Sequence, residues 1–175
     1  MDSSLPVIYL SVLVALLGAA GFAVIRQVLK TRKLENVLSR LEKKLQNERG
    51  TLEEYYELGS IYLDKNLFAQ SIVLFQKAIK AADGESQNLA PVYNGMGFAY
   101  FAQEQYDIAI RQYKEALKLE PNYVTALNNL GHAYERKKLI AQAVETYEEV
   151  LKYEPKNDTA KRRAESLRKR LVTSS

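Results

Sequence analysis

Met96-Gly97-Phe98-Ala99-Tyr100 is the stretch on which the fold turns, because its spacing returns at Leu58-Gly59-Ser60-Ile61-Tyr62 and at Leu130-Gly131-His132-Ala133-Tyr134. Each time a large apolar residue precedes a glycine, and a tyrosine follows that glycine one helical turn later. Twelve residues past each glycine stands a small residue: Ser71, Ala109 or Ala143. Four further on comes an aromatic (Phe75, Tyr113, Tyr147), and three beyond that Ala78, Ala116 or Val150. Pro121 and Pro155 close the second and third units. Gly97 and Gly131 are 34 residues apart, and Gly59 and Gly97 are 38 apart, so four extra residues enter around Asp83-Gly84-Glu85-Ser86. Self-similarity at such a period marks stacked supersecondary units, each unable to bury its apolar face alone.

The pattern is steric. Two antiparallel helices per unit cross where the glycine and the small residue lie, and a larger side chain there would push them apart. The aromatics are expected to fill the layer between one unit and the next, and proline to fix the turn into the following helix. This resembles the tetratricopeptide repeat (TPR) over about residues 52–157, in units of about 52–85, 90–123 and 124–157. The packing positions it implies are Gly59, Tyr62, Gly97, Tyr100, Ala109, Gly131, Tyr134 and Ala143. Departures are mild: Tyr55, Tyr93 and Leu127 stand where Trp is common, Asp83 replaces a closing proline, and Val150 a small alanine.

Outward toward the N-terminus, Leu5 to Ile25 is 21 residues without a charge. As a helix it spans about 32 Å, enough to cross a bilayer core. Ser3 and Ser4 suit an N-cap, Pro6 the first turn, and Tyr9 a membrane interface. A cleaved signal peptide wants positive charge ahead of its apolar core. Here Asp2 precedes it and Arg26, Lys30, Arg32 and Lys33 follow, so residues 5–25 read as a retained anchor behind a short tail, 1–4. The positive-inside rule places the C-terminal side in the cytoplasm or its equivalent. Ser11, Ala15, Ala19 and Ala23 form a small-residue ridge, a spacing that also arises by chance in membrane helices.

Residues 26–50 carry no Pro, and no Gly before Gly50. Leu34, Leu38, Leu41 and Leu45 make a seam of about two heptads, too short to specify an oligomer. The segment reads as a basic helical stalk that docks its leucines on the first repeat or lies on anionic lipid headgroups. Residues 158–175 read as a capping helix and tail, with Ala160, Ala164, Leu167 and Leu171 on one face and basic residues on the other. The fold class is therefore all-α: one transmembrane helix, a basic stalk, a three-repeat solenoid and a capping helix.

The formal net charge of +4 is unevenly spread: residues 26–50 carry +5, residues 51–155 carry −5 and residues 156–175 carry +5. The acidic repeat region opposes phosphate, which argues against nucleic acid. There is no Cys, and His132 is the only histidine. Disulfides and thiolate metal sites are excluded, and a His-dependent catalytic triad has almost nothing to draw on. No catalytic, cofactor-binding or metal constellation is legible, so the chain reads as no enzyme. Gly95-Met96-Gly97 lies inside a helix rather than in a phosphate-binding loop.

The TPR resemblance implies that ligands lie in a concave groove lined by the first helix of each repeat. Projected onto this chain, the groove positions are Glu53, Tyr56, Ser60, Asn94, Phe98, Phe101, Thr125, Asn128, Asn129, His132 and Glu135. Phe98 and Phe101 offer apolar surface, and the asparagines can bind a peptide backbone. Some TPR domains grip a chaperone's C-terminal carboxylate, but here Tyr56 and Ser60 replace the first cation and amide of such a clamp. The whole layout is similar to the anchored thylakoid TPR proteins of cyanobacteria and plastids that assist photosystem I assembly. That resemblance implies photosystem I subunits or assembly intermediates as partners and a cytoplasmic or stromal TPR domain. Two alternatives remain open at this point: an anchored TPR adaptor in another membrane process such as protein import or envelope biogenesis, and a lipid-surface regulator working through the basic stalk and tail.

Overall fold

A computed structural model describes residues 4–82 and 88–173. Among them are eight α-helices and no strand: α1 (Ser4–Asn47), α2 (Leu52–Asp64), α3 (Phe68–Ala81), α4 (Ala90–Ala102), α5 (Tyr106–Leu119), α6 (Val124–Arg136), α7 (Ile140–Tyr153) and α8 (Asp158–Thr173). The extra loop around Asp83–Ser86 and the N-cap candidate Ser3 lie outside the described residues. The chain divides into two units, residues 1–47 and 48–175.

The first unit is α1, 44 residues without a break. The segments expected as anchor and stalk form one helix because neither proline nor glycine interrupts the junction at Ile25-Arg26. Among the described residues it is the one helix long and apolar enough to cross a membrane, with a mean hydropathy of 2.4 over its most apolar window. Its apolar side chains, such as Phe22 and Leu17, are exposed. Ser11 donates its hydroxyl to Ile8 O at 2.8 Å, and Thr31 to Gln27 O at 3.0 Å. Hydroxyls satisfied by their own helix need no water.

The second unit is three helical hairpins, α2/α3, α4/α5 and α6/α7, followed by α8. Thr51 starts α2 with a capping box, its hydroxyl accepting from Glu54 N while Glu54 accepts from Thr51 N at 3.1 Å. The turns inside the hairpins repeat one design. Leu67 N donates to Tyr62 O, Gln105 N to Tyr100 O and Leu139 N to Tyr134 O, at 2.8–3.0 Å. Asn66, Glu104 and Lys138, each at φ 60°, make the left-handed turn between. These bonds satisfy the last carbonyls of the first helix in the manner of a Schellman motif. Leu67, Gln105 and Leu139 then cap the second helix through the backbone. One residue thus ends one helix and begins the next, which is why the hairpins are tight.

Packing follows the repeat. A β-carbon on Gly59 would meet the Phe75 ring at 2.8 Å, on Gly97 the Tyr113 ring at 2.5 Å, and on Gly131 the Tyr147 ring at 2.9 Å. Each aromatic therefore lies close against the glycine of its own hairpin. The expected layer-filling role holds for Phe75, which also reaches Gly95 of the next repeat, 2.7 Å from a β-carbon placed there. Ser71 adds a hydrogen bond from its hydroxyl to Gly59 O at 2.8 Å. Val150 is fully buried, so the third repeat takes the larger side chain without opening. Tyr134 is buried, whereas Tyr62 and Tyr100 are half-buried. The core runs without interruption from Ala109 and Tyr113 through Leu127 and Leu130, then Val144 and Tyr147, to Ala160, Ala164 and Leu167 of α8. Leu171, expected on that same face, is instead exposed near the C-terminal end of α8.

Candidate protein-binding groove

The first helices of the hairpins stand side by side, α2 touching α4 and α4 touching α6. Their outward-facing side chains form a continuous row because the glycine side of each helix is pressed onto its own partner helix. In this row Asn129 donates its amide to Asn94 Oδ1 at 3.0 Å, tying α6 to α4 across 35 residues of sequence. Tyr123 joins them: Asn94 hydrogen-bonds its hydroxyl, while burial first, then nearby Tyr56 and Glu120, hold its pKa above the ordinary value. Asn128 donates to Val124 O at 3.2 Å, but its Oδ1 is buried with no partner. Ser60 is occupied by its own helix, donating to Tyr56 O at 2.8 Å, and the Tyr56 ring rests 5.9 Å from Phe75.

The two phenylalanines differ. Phe98 is 44% exposed. Phe101 is half-buried, its ring 5.3 Å from Tyr106 and 4.8 Å from His132. The Arg136 guanidinium lies 4.9 Å from the Tyr106 ring and 5.9 Å from Phe101, within cation–π range. Glu135 accepts from the Tyr147 hydroxyl at 2.7 Å and from Arg163 of α8 at 3.1 Å. Burial, followed by the charge of Arg163, pushes the His132 pKa down, with Arg136 adding to it and Glu135 opposing.

The expected groove residues thus fall into an amide cluster (Asn94, Asn128, Asn129) and an aromatic end (Phe98, Phe101, His132), with Tyr56 and Ser60 in the wall of repeat one. Tyr123, Tyr106, Arg136 and Arg163 were not singled out from the sequence. Tyr123 and Tyr106 each directly follow a hairpin or inter-repeat turn, a placement that could have flagged them. Arg163 had no signal beyond its position on the capping helix. The arrangement can hydrogen-bond a peptide and bury an apolar side chain. Among the described residues no group of His, Cys, Asp and Glu could hold a metal ion.

Known proteins agree with the repeat fold. The family described as TPR repeat matches residues 97–138, and that described as tetratricopeptide repeat matches 54–84 and 124–157. The chain is 39% identical over 125 residues to the tetratricopeptide repeat domain-containing protein PYG7, chloroplastic, of Arabidopsis thaliana, covering 71% of this chain and 42% of that protein. To ycf37 of Cyanophora paradoxa it is 38% identical over 58% of this chain and 59% of the relative. To ycf37 of Guillardia theta it is 34% identical over 73% of this chain and 72% of the relative. It is a TPR protein of the ycf37 family.

The chain spans less than two thirds of the length of PYG7 and of the Cyanophora ycf37. The fold matches the first TPR of Spaghetti (RPAP3), solved with an HSP90 peptide, at a TM-score of 0.64 and 21% identity, covering 71% of this chain and 96% of that one. It also matches YrrB at 0.66 and 20% identity, over 79% of this chain and 69% of that one. TPR repeats are protein-interaction scaffolds, and this ycf37-family protein carries three of them.

Proposed function

We propose that this chain is a membrane-anchored TPR adaptor that binds proteins in its groove and assists assembly or stability of photosystem I. The observation that carries the binding half is Phe98, a phenylalanine left 44% exposed on the α2/α4/α6 row beside the Asn94–Asn129 pair. A large aromatic costs free energy in water unless something covers it, and aromatic anchors in a polar frame are where interface energy concentrates. The photosystem half is supported by the resemblance to thylakoid TPR proteins and by relatives that include a chloroplastic protein. The anchor is α1, and the basic cluster Arg26, Lys30, Arg32 and Lys33 puts the groove on the cytoplasmic or stromal side of a thylakoid membrane. Held in the membrane plane, the groove meets membrane-bound clients at raised effective concentration, so weak contacts suffice.

The test is crosslinked affinity purification from native membranes, comparing wild type with Phe98→Ala. Photosystem I subunits should co-purify with wild type and fall at least about tenfold in the variant, as for loss of a central aromatic anchor. Other membrane proteins in their place would leave a TPR adaptor with a different client, such as import or envelope machinery. Unchanged capture by the variant would remove the groove as the binding surface.

A further inference from the structure

The groove changes character where α6 meets α8. Asn157 accepts from Ala160 N at 3.0 Å and starts α8, and Ala160, Ala164 and Leu167 bury against the last hairpin. That registration turns Arg163 toward α6, where it meets Glu135 at 3.1 Å. The helix that closes the solenoid is therefore also a fourth wall of the groove, and it brings a basic segment of the chain there. On α6, Arg136 is held over Tyr106 by its ring contact and reaches Glu104 at 3.4 Å. Both side chains stay open to solvent, 47% exposed for Arg136 and 44% for Arg163. A guanidinium has five N–H donors, and neither ion pair uses more than a part of them. His132 rests on the Phe101 ring at 4.8 Å, and burial first, then the charges of Arg163 and Arg136, lower its pKa while Glu135 opposes them. The opposite end of the groove carries the other sign: Glu53, Glu57 and Asp64, spaced four and seven apart on one face of α2, are all exposed.

We infer that the α6/α8 end of the groove binds an acidic segment of the partner protein, its carboxylates on Arg136 and Arg163 and an adjacent apolar side chain on Phe98 and Phe101. Charged hydrogen bonds to planar guanidiniums supply orientation as well as energy. The acidic face of α2 repels the same carboxylates, so an extended segment lies in one direction only. This rests on the groove being the binding surface, and it adds which chemistry the groove selects and at which end.

The full chain is reconstituted in phosphatidylcholine nanodiscs, whose uncharged surface gives the basic stalk no anionic lipid. The probes are two fluorescein-labelled peptides, one alternating glutamate with leucine and one alternating glutamine with leucine, read by fluorescence anisotropy. The glutamate peptide should bind about tenfold more tightly or better, as expected for one or two charge-assisted hydrogen bonds. The preference should shrink at high salt and vanish in Arg136→Gln/Arg163→Gln. In case that pair loosens α8, Glu104→Gln, on an exposed side chain, should tighten the glutamate peptide by releasing Arg136. Equal binding of the two peptides, binding of neither, or a preference that survives the double variant overturns the inference. Equal binding that is lost in Phe98→Ala leaves the groove standing and removes only its acidic selectivity; equal binding indifferent to Phe98→Ala removes both. Pairing of differently labelled chains that neither peptide displaces assigns this surface to a second copy and likewise overturns the inference.

Discussion

At Gly97 a β-carbon would stand 2.5 Å from the Tyr113 ring, and that ring is 1% exposed, with nowhere to retreat. Gly97→Ala gains helix propensity but forces the hairpin apart, and it should lower stability by about 1–3 kcal/mol, the range for overpacking a tight core. Denaturant unfolding of the full chain measures this, and a neutral or stabilising result would mean that α4 and α5 slide without cost. His132 makes a second residue-level prediction. Its folded pKa lies below the ordinary value, so the folded chain prefers the neutral ring. The unfolded chain takes up its proton near pH 6.5. The contribution is thus fully present above that pH and is lost as pH falls from about 6.5 toward the depressed folded value. Unfolding midpoints measured on both sides of that window should fall more for wild type than for His132→Gln. Parallel losses would clear the imidazole.

The helices were legible from spacing alone, since apolar and small residues recur at helical intervals and proline marks the inter-repeat turns. The turns within hairpins were not. Asn66, Glu104 and Lys138 sit at φ 60° with no glycine to announce it. A left-handed L-residue costs roughly 1–2 kcal/mol, borne here because two backbone hydrogen bonds close each turn. The backbone carbonyls of Tyr62, Tyr100 and Tyr134 accept the wider-spanning of those bonds. For α8 the sequence indicated a cap, and the structure adds that the cap lines the groove. Leu167 is 2% exposed and closes the last apolar layer. Leu167→Ala should cost about 2–4 kcal/mol by transfer and cavity terms together. A change below about 0.5 kcal/mol would show that the final layer holds without α8.

At the scale of the whole molecule, one chain carries a long apolar helix and a separate protein-binding solenoid. If the anchor acts by concentrating the groove at the membrane, a version lacking residues 1–25 should keep binding client peptide while photosystem I assembly falls. Assembly that proceeds normally with the soluble version would separate function from anchoring. The charge layout belongs to this scale too. The basic stalk is adjacent to the expected membrane surface, whereas the basic C-terminal helix is drawn into the repeat unit through Glu135 and Glu148, the latter 2.6 Å from Arg168. Two segments of equal charge thus belong to different units, one to the long first helix and the other to the repeat unit.

What the sequence determined by itself was everything periodic: the helices, the 34-residue repeat, the small residues at each helix crossing and the uncharged span of α1. These rest on local geometry, since 3.6 residues per turn and the width of a side chain fix which positions face inward. Only the tertiary structure decided which side chains meet across repeats. Asn129 finds Asn94 35 residues away, and Arg163 finds Glu135 28 residues away. Phe101 closes under His132 while Phe98, one turn earlier, stays open. Such pairings depend on the angle at which successive hairpins stack, and that angle is set by the summed packing between hairpins, as where Phe75 reaches Gly95 and Tyr113 shares a core with Leu127, rather than by any residue read alone.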